Sequence, residues 1–319
     1  MNKPVPAHVL NRSAAFAPYQ DNQRLRLDPG AEARAHQSGA RVGVSQAHES
    51  AVLHVSGSAT YTDDIPELAG TLHCAMGLSP VAAGRLLGMD LDAVRAMPGV
   101  VRVFTAEDIP GANDWGSIVH DDPILCDGEI RYLGQPVFAV VAQTREQARR
   151  AAALAKKVVQ VEAATPVLTP QEAHARGQYV VPPMHLVRSS SGLDEAGIRA
   201  RIAAAPHRLQ GSLDVGGQEQ FYLEGQISYA IPKEGNAIHV YCSTQHPSEM
   251  QHLVAHALGV HAHAVQVECR RMGGGFGGKE SQSALFACMA SVAARRLARP
   301  VKLRVDRDDD FLITGRRHC

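Results

Sequence analysis

Apolar positions along this chain fall into short alternating runs and two helical stripes. Val265-Gln266-Val267-Glu268-Cys269 alternates apolar and polar, the period of a half-buried strand. A helical period follows from Ser281, where Leu285, Met289, Val292, Ala293 and Leu297 recur on one face. Pro300 stops that helix, and Val301-Lys302-Leu303-Arg304-Val305 alternates again. Between the first strand and the helix lies Met272-Gly273-Gly274-Gly275-Phe276-Gly277-Gly278-Lys279-Glu280. The predicted order is strand, glycine loop, helix, strand. Five glycines around one phenylalanine mean that backbone, rather than side chains, comes close to something.

The same pattern places elements upstream. Thr71 to Met76 and Val100 to Phe104 read as strands, with a short helix between them capped by Asp90 and ended by Pro98-Gly99. Pro136-Val137-Phe138-Ala139-Val140-Val141 is almost wholly apolar, as a strand covered on both faces must be. Thr144 and Gln147 form a capping box for a helix to about Lys157, which leads into the strand Val158 to Val161. Ile238 to Tyr241 is a further strand. A helix then opens on Pro247, carries Met250, Leu253, Val254, Ala257 and Leu258, and stops at Gly259.

Residues 1–42 have no sustained period and read as a flexible tail, with Asp21, Asp28 and Glu32 arguing against a transit peptide. Pro166, Pro170, Pro182, Pro183 and Ser189-Ser190-Ser191 mark residues 169–206 as a linker. The expected organisation is therefore tail 1–42, a mixed α/β domain over 43–168, linker 169–206 and a second domain over 207–319.

Two phosphate-binding patterns fit the glycine loop. Gly273, Gly278 and Lys279 satisfy G-x-x-x-x-G-K, but Glu280 stands where a hydroxyl residue would hold magnesium. Gly273, Gly275 and Gly278 satisfy G-x-G-x-x-G, with Asp306 after the second strand as a candidate ribose-binding acid. A turn that only lets a helix pack on a sheet explains the glycines equally well. His252 and His256 lie four apart on one helix, with His261 and His263 beyond it. They lack the glutamate of H-E-x-x-H and lie opposite the apolar stripe, where polar surface residues belong.

Composition narrows the classes. The chain has 319 residues, with 32 basic and 32 acidic side chains, so no affinity for nucleic acid or a membrane surface is implied. No apolar run approaches a transmembrane length. The six cysteines, at 74, 126, 242, 269, 288 and 319, have no C-x-x-C spacing. They read as reduced core residues of a cytoplasmic protein, with neither zinc nor iron-sulfur ligation.

Arg271 to Glu280 resembles the signature of the molybdenum-cofactor subunit of the xanthine dehydrogenase and aldehyde oxidase family. Gly217-Gln218-Glu219-Gln220-Phe221-Tyr222-Leu223-Glu224 and Ser243-Thr244-Gln245 resemble two further motifs in the same order. His48-Glu49-Ser50-Ala51 and Tyr61-Thr62-Asp63-Asp64-Ile65-Pro66 resemble two more near the start. The resemblance implies a mixed α/β fold: a small hammerhead domain, then the incomplete first part of a molybdopterin-binding domain. It also implies that the turn Leu133-Gly134-Gln135-Pro136 lies near the cofactor domain.

By the same resemblance, Gln245 hydrogen-bonds an oxygen ligand of molybdenum and the Phe276 backbone amide points at the metal, flanked by Gly275 and Gly277. Glu280 contacts a purine substrate, a position that aldehyde-oxidising relatives generally lack. Glu219 and Glu224 carry no assigned role, and Gln220 replaces the family's usual histidine. The family's general base, its substrate-binding arginine and most of its pterin surface correspond to sequence beyond Cys319, so the chain alone is expected to be inactive. Iron-sulfur clusters and FAD would sit on a partner subunit of a hetero-oligomer. A nucleotide- or dinucleotide-binding module using Gly273–Gly278, and a non-catalytic α/β interaction domain, remain the competing readings.

Overall fold

A computed structural model of the chain describes Gly39, residues 48–184 and residues 191–317. Apart from Gly39, the expected tail lies outside the described residues. The chain divides into two compact units, residues 1–59 and 60–319. In the first, helix α1 (Ala51–Ser56) ends at Gly57, whose φ of 72° supplies the left-handed cap.

The second unit is built on a seven-stranded sheet. Its strands are β1 (Leu72–Leu78), β3 (Val100–Phe104), β5 (Pro136–Ala142), β7 (Ile227–Pro232), β8 (Ile238–Cys242), β9 (Val265–Glu268) and β10 (Val301–Arg304), in the order β3-β5-β1-β10-β7-β8-β9. A second sheet holds β4 (Glu129–Ile130), β2 (Gly84–Met89) and β6 (Val159–Ala163), in that order. The two segments predicted on either side of residues 169–206 share the large sheet. β1 lies parallel to β10, with Leu72 opposite Val301 and Cys74 opposite Leu303.

Strand β5 shows why its sequence is apolar throughout. All seven residues are buried. Ala139 and Val141 enter one core with Met250, Leu253, Leu285 and Met289, while Val137, Phe138 and Val140 enter another with Leu91, Val94 and Ala151. The predicted capping box is present: the Thr144 side chain accepts from the Gln147 N–H and opens α3 (Arg145–Ala152). The short helix α2 (Asp92–Arg95) starts later than expected. Its N-cap is Leu91, and Asp90 instead accepts from the Asp92 N–H at 3.3 Å.

The segment 169–206 contains local structure. Helix α5 (Pro170–Ala175) is capped by Thr169 and α6 (Glu195–Ala203) by Asp194, following the brief α4 (Ala155–Val158). Residues 185–190 lie outside the described residues. Helix α7 (Pro247–Leu258) begins with its proline and ends at Gly259 (φ 63°), as the pattern predicts.

Helix α8 (Ser283–Leu297) is buried on every side from Ser283 to Ala294. Its many alanines let it pack among β7, α7 and β10. Ala298, at φ 50°, caps it before Pro300. Helix α9 (Arg307–Ile313) follows β10. The predicted turn at Gly134 (φ 87°) comes against this helix, where a Cβ would lie 2.7 Å from Leu312 Cβ. Only glycine allows that approach.

Cys74, Cys126, Cys242 and Cys288 are buried free thiols and Cys269 is half-buried. Burial pushes the Cys74 thiol up to about 12, which keeps it protonated and inert. Cys319 lies outside the described residues. No described helix is long and apolar enough to cross a membrane.

Candidate functional site

The glycine loop runs from β9 to α8 and is held from beneath by three polar side chains. Gln245, at the end of β8, presents its Oε1 to the backbone N–H groups of Gly277 (2.9 Å) and Lys279 (3.3 Å). Its own N–H donates to the Lys279 carbonyl at 2.8 Å. A Cβ at Gly275 would fall 2.6 Å from Gln245 Oε1, so this contact requires glycine. With its oxygen committed to the loop, the exposed Gln245 keeps its Nε2 as a donor that bonds none of the described residues.

Glu224 is the second support, and sequence reasoning assigned it no role. Its Oε1 accepts from the Thr62 N–H (3.0 Å), and its Oε2 from Ser243 Oγ (2.6 Å) and the Gly273 N–H (2.9 Å). Lys279 completes the group. Its ammonium is wholly buried, donates to the Glu224 carbonyl (2.6 Å) and Ser243 Oγ (2.7 Å), and lies 3.6 Å from Glu224 Oε2. It also stands 4.7 Å over the Tyr222 ring. Burial lowers the Lys279 pKa from its ordinary value, and the Glu224 carboxylate opposes that shift.

A third layer braces the far side. Gln226 Nε2 donates to the Gly278 carbonyl (2.8 Å) and to Tyr222 Oη (2.9 Å), and Tyr222 donates to Asp310 Oδ1 (2.8 Å). Gly278 lies so close to Tyr222 and Gln220 that a Cβ would meet the Tyr222 ring at 2.7 Å. Burial raises the Asp310 carboxyl pKa, against the pull of Tyr222, Thr314 and Arg307.

Phe276 occupies the tip of the loop, largely exposed, at φ 53°. Phe221 is likewise exposed at φ 49° and stacks on Phe311. Left-handed backbone is uncommon outside glycine and costs about 1–3 kcal/mol per residue, a strain that concentrates at working sites. The Phe276 N–H makes no hydrogen bond with the described residues, although the neighbouring Gly277 and Gly278 N–H groups are both engaged.

Glu280 is exposed and follows the loop immediately. The sequence pattern has it opening the helix, but α8 begins at Ser283 with Gln282 as its N-cap and has no acid in its first turn. Among the described residues Glu280 has no hydrogen-bond or ion-pair partner. Gln245, Gly275 and Gly277 thus meet directly, with Phe276 and Glu280 flanking them along the loop.

Neither phosphate pattern survives this geometry. Lys279 is turned inward onto Glu224 and Ser243 instead of toward a phosphate. Asp306 is held by Arg145 and Arg149 of α3 instead of being open to a ribose. A dinucleotide loop also joins adjacent parallel strands, whereas β10, β7, β8 and β9 stand in that order and keep the two flanking strands apart.

Two family models match the chain. One, described as a molybdopterin cofactor-binding domain, covers residues 182–319. The other, the a/b hammerhead domain of aldehyde oxidase and xanthine dehydrogenase, covers residues 56–163. The chain belongs to the xanthine dehydrogenase and aldehyde oxidase family of molybdenum hydroxylases. It carries the hammerhead domain and part of the molybdopterin-binding domain of that family.

Xanthine dehydrogenase of Drosophila pseudoobscura pseudoobscura is 39% identical over 279 residues, covering 87% of this chain and 20% of its own length. Aldehyde oxidase 2 of Cavia porcellus is 37% identical over 278 residues, again covering 87% of this chain and 20% of its own. The aldehyde oxidoreductase of Desulfovibrio gigas superposes with a TM-score of 0.73 at 25% identity, covering 84% of this chain and 31% of that one. The chain thus spans about a fifth of the length of these curated relatives. Overall identity to the two enzymes is nearly equal.

Proposed function

We propose that this chain forms one wall of the active site of a xanthine dehydrogenase-type hydroxylase, acting on xanthine, hypoxanthine or a related purine. The observation that carries this reading is the fixed carboxamide of Gln245. Two loop N–H groups hold its oxygen, and the Nε2 amide, with its two N–H donors, is left over. Such a donor suits an anionic oxygen ligand. The Phe276 N–H, unpaired among the described residues, adds a donor from the loop itself, and the glycines on either side of it carry no side chain. These donors fit a molybdenum-pterin group carrying oxygen ligands.

When bound, that group supplies oxidative hydroxylation of an electron-poor carbon. The residues of this chain bind and orient. Gln245 and Phe276 would hold an oxygen ligand of that group by their N–H donors, and the layer of Glu224, Lys279 and Tyr222 keeps the loop from shifting. Glu280 recognises the purine ring and stabilises charge as it develops there. The catalytic base, the substrate-binding arginine and the rest of the pterin surface come from other parts of the full-length subunit. A partner subunit would hold the iron-sulfur clusters and FAD that take up the electrons.

Gln245→Glu in a full-length subunit tests the reading. A glutamate still accepts from Gly277 and Lys279, but its second oxygen can no longer donate. Thermal stability should stay close to that of the parent, while bound molybdenum or purine turnover falls at least about ten-fold. Full molybdenum content together with full turnover would refute it.

A further inference from the structure

The segment Gly111 to Leu125 leaves the sheet and docks on the last turn of α7. Gly111 N–H donates to the Ala257 carbonyl (2.9 Å) and Ala112 N–H to the His256 carbonyl (3.2 Å). The segment is then closed on itself. Asn113 exchanges side-chain hydrogen bonds with the backbone of Leu125 (2.7 and 3.0 Å), and Trp115 N–H donates to the Asp122 carbonyl (2.9 Å). Gly116 has no room for a Cβ, which would fall 2.1 Å from the Val119 carbonyl oxygen.

Within this frame Asp114 is oriented on one side only. Its Oδ1 accepts from the N–H groups of Gly116 (3.2 Å) and Asp122 (3.1 Å), which points Oδ2 at His120 Nδ1, 2.7 Å away. The His120 ring stands edge-on to His256, with centroids 5.5 Å apart. One ligand atom from each of Asp114, His120 and His256 lies within 4.8 Å of the others. The sequence pattern pairs His256 with His252 along the helix. The fold instead brings His256 a carboxylate and an imidazole from a loop well over a hundred residues earlier.

We propose that Asp114, His120 and His256, none of which belongs to the glycine-loop site, form a binding site for a divalent transition-metal ion of the zinc type. Two imidazoles and one carboxylate are a ligand set that zinc accepts, with water at the fourth position. Bonds of about 2.0–2.1 Å in a tetrahedron place ligand atoms roughly 3.4 Å apart. The exposed imidazoles of His120 and His256 reach that spacing by rotation, while the backbone-held Asp114 stays fixed. Asp121, Asp127, Glu129 and Arg131 line an adjoining cleft of about 220 Å³ together with Asp114 and His120. Arg131 pairs with Glu129 (3.3 Å) and Asp121 (3.9 Å), but one guanidinium does not balance the carboxylates of the lining, and the excess negative charge favours entry of a cation. A bound ion would pin the Gly111–Leu125 segment to α7 by side chains as well as by backbone.

Calorimetric titration of the purified, metal-stripped chain with zinc chloride tests this, in reducing buffer and without a histidine tag. One zinc per chain is expected, with a dissociation constant in the micromolar range or below. His120→Gln and His256→Gln should each weaken binding at least about ten-fold, a loss at the level seen for outer-shell changes or beyond it. His252→Gln should leave the affinity unchanged, and circular dichroism of each variant checks that the fold is kept. Cobalt substitution separates this site from the thiols, because it should give visible d–d bands without thiolate charge transfer. Absence of binding up to 100 times the chain concentration, affinity insensitive to His120→Gln, or a thiolate spectrum would each overturn the assignment.

Discussion

The Lys279 ammonium lies 3.6 Å from Glu224 Oε2, and the glycine loop is suspended between them. Glu224 takes the Gly273 N–H at one end of the loop, and Lys279 supplies the backbone atoms that Gln245 grips at the other. Lys279 is fully buried, so removing its partner strands a charge. Glu224→Ala should destabilise the chain by about 3–5 kcal/mol. Lys279→Met leaves Glu224 with its donors from Thr62, Ser243 and Gly273, and should cost no more than about 1–2 kcal/mol. Denaturant unfolding of both variants checks the order. Equal losses would mean that the pair is not the support described here.

Asp310 gives the site a pH dependence of definite sign. Burial raises its folded pKa above the usual carboxylate value of 3.8, so the folded chain holds this proton more tightly than the unfolded chain. Its contribution to stability is therefore full below pH 3.8 and is lost as pH rises through the folded pKa. Asp310→Asn cannot ionise and escapes that loss. Its stability relative to the parent should rise between pH 4 and pH 7, measured as melting temperature at each pH. A difference that is flat or falling across that range would be inconsistent with a carboxyl pKa raised by burial.

Proline and serine composition marks residues 169–206, and most of the described part of that stretch is exposed. Val180 is 93% and Met184 84% exposed. Limited thermolysin digestion should cut near these residues, and within residues 1–42, before it attacks β9, α8 or β10. Early cleavage between residues 264 and 305 with both other regions intact would run against this expectation.

What the sequence made legible was local. The apolar run of β5, the Thr144 capping box, the opening of α7 at Pro247 and its stop at Gly259 depend on residues within one turn or one strand. The likeness of the Arg271 to Glu280 motif identified the family, because glycines at close-approach positions leave a fixed spacing. Partner choice was not legible. Nothing in Leu72 to Cys74 says that it pairs with Val301 to Leu303, more than 220 residues away, since both are generic alternating strands. Glu224 went unassigned for the same reason. A buried carboxylate and an exposed one look alike until the fold brings Lys279, Ser243 and Thr62 around it. The start of α8 was misplaced because Ser281 and Gln282 suit a helix, yet the loop, held by Gln245 and Gln226, keeps them out of it until Ser283.

Glu280 carries the substrate reading, and one variant in a full-length subunit tests it most directly. The side chain is exposed, unpaired among the described residues and outside the first turn of α8, so helix stabilisation does not account for it. Contact with the purine that strengthens in the transition state should be lost in Glu280→Ala. Turnover of xanthine should then fall by about 30- to 1000-fold, equivalent to about 2–4 kcal/mol. Turnover of a simple aldehyde, which makes no such contact, should fall far less, and the melting temperature should hold. Unchanged xanthine turnover, or an equal loss on both substrates that follows a lowered melting temperature, would contradict the account.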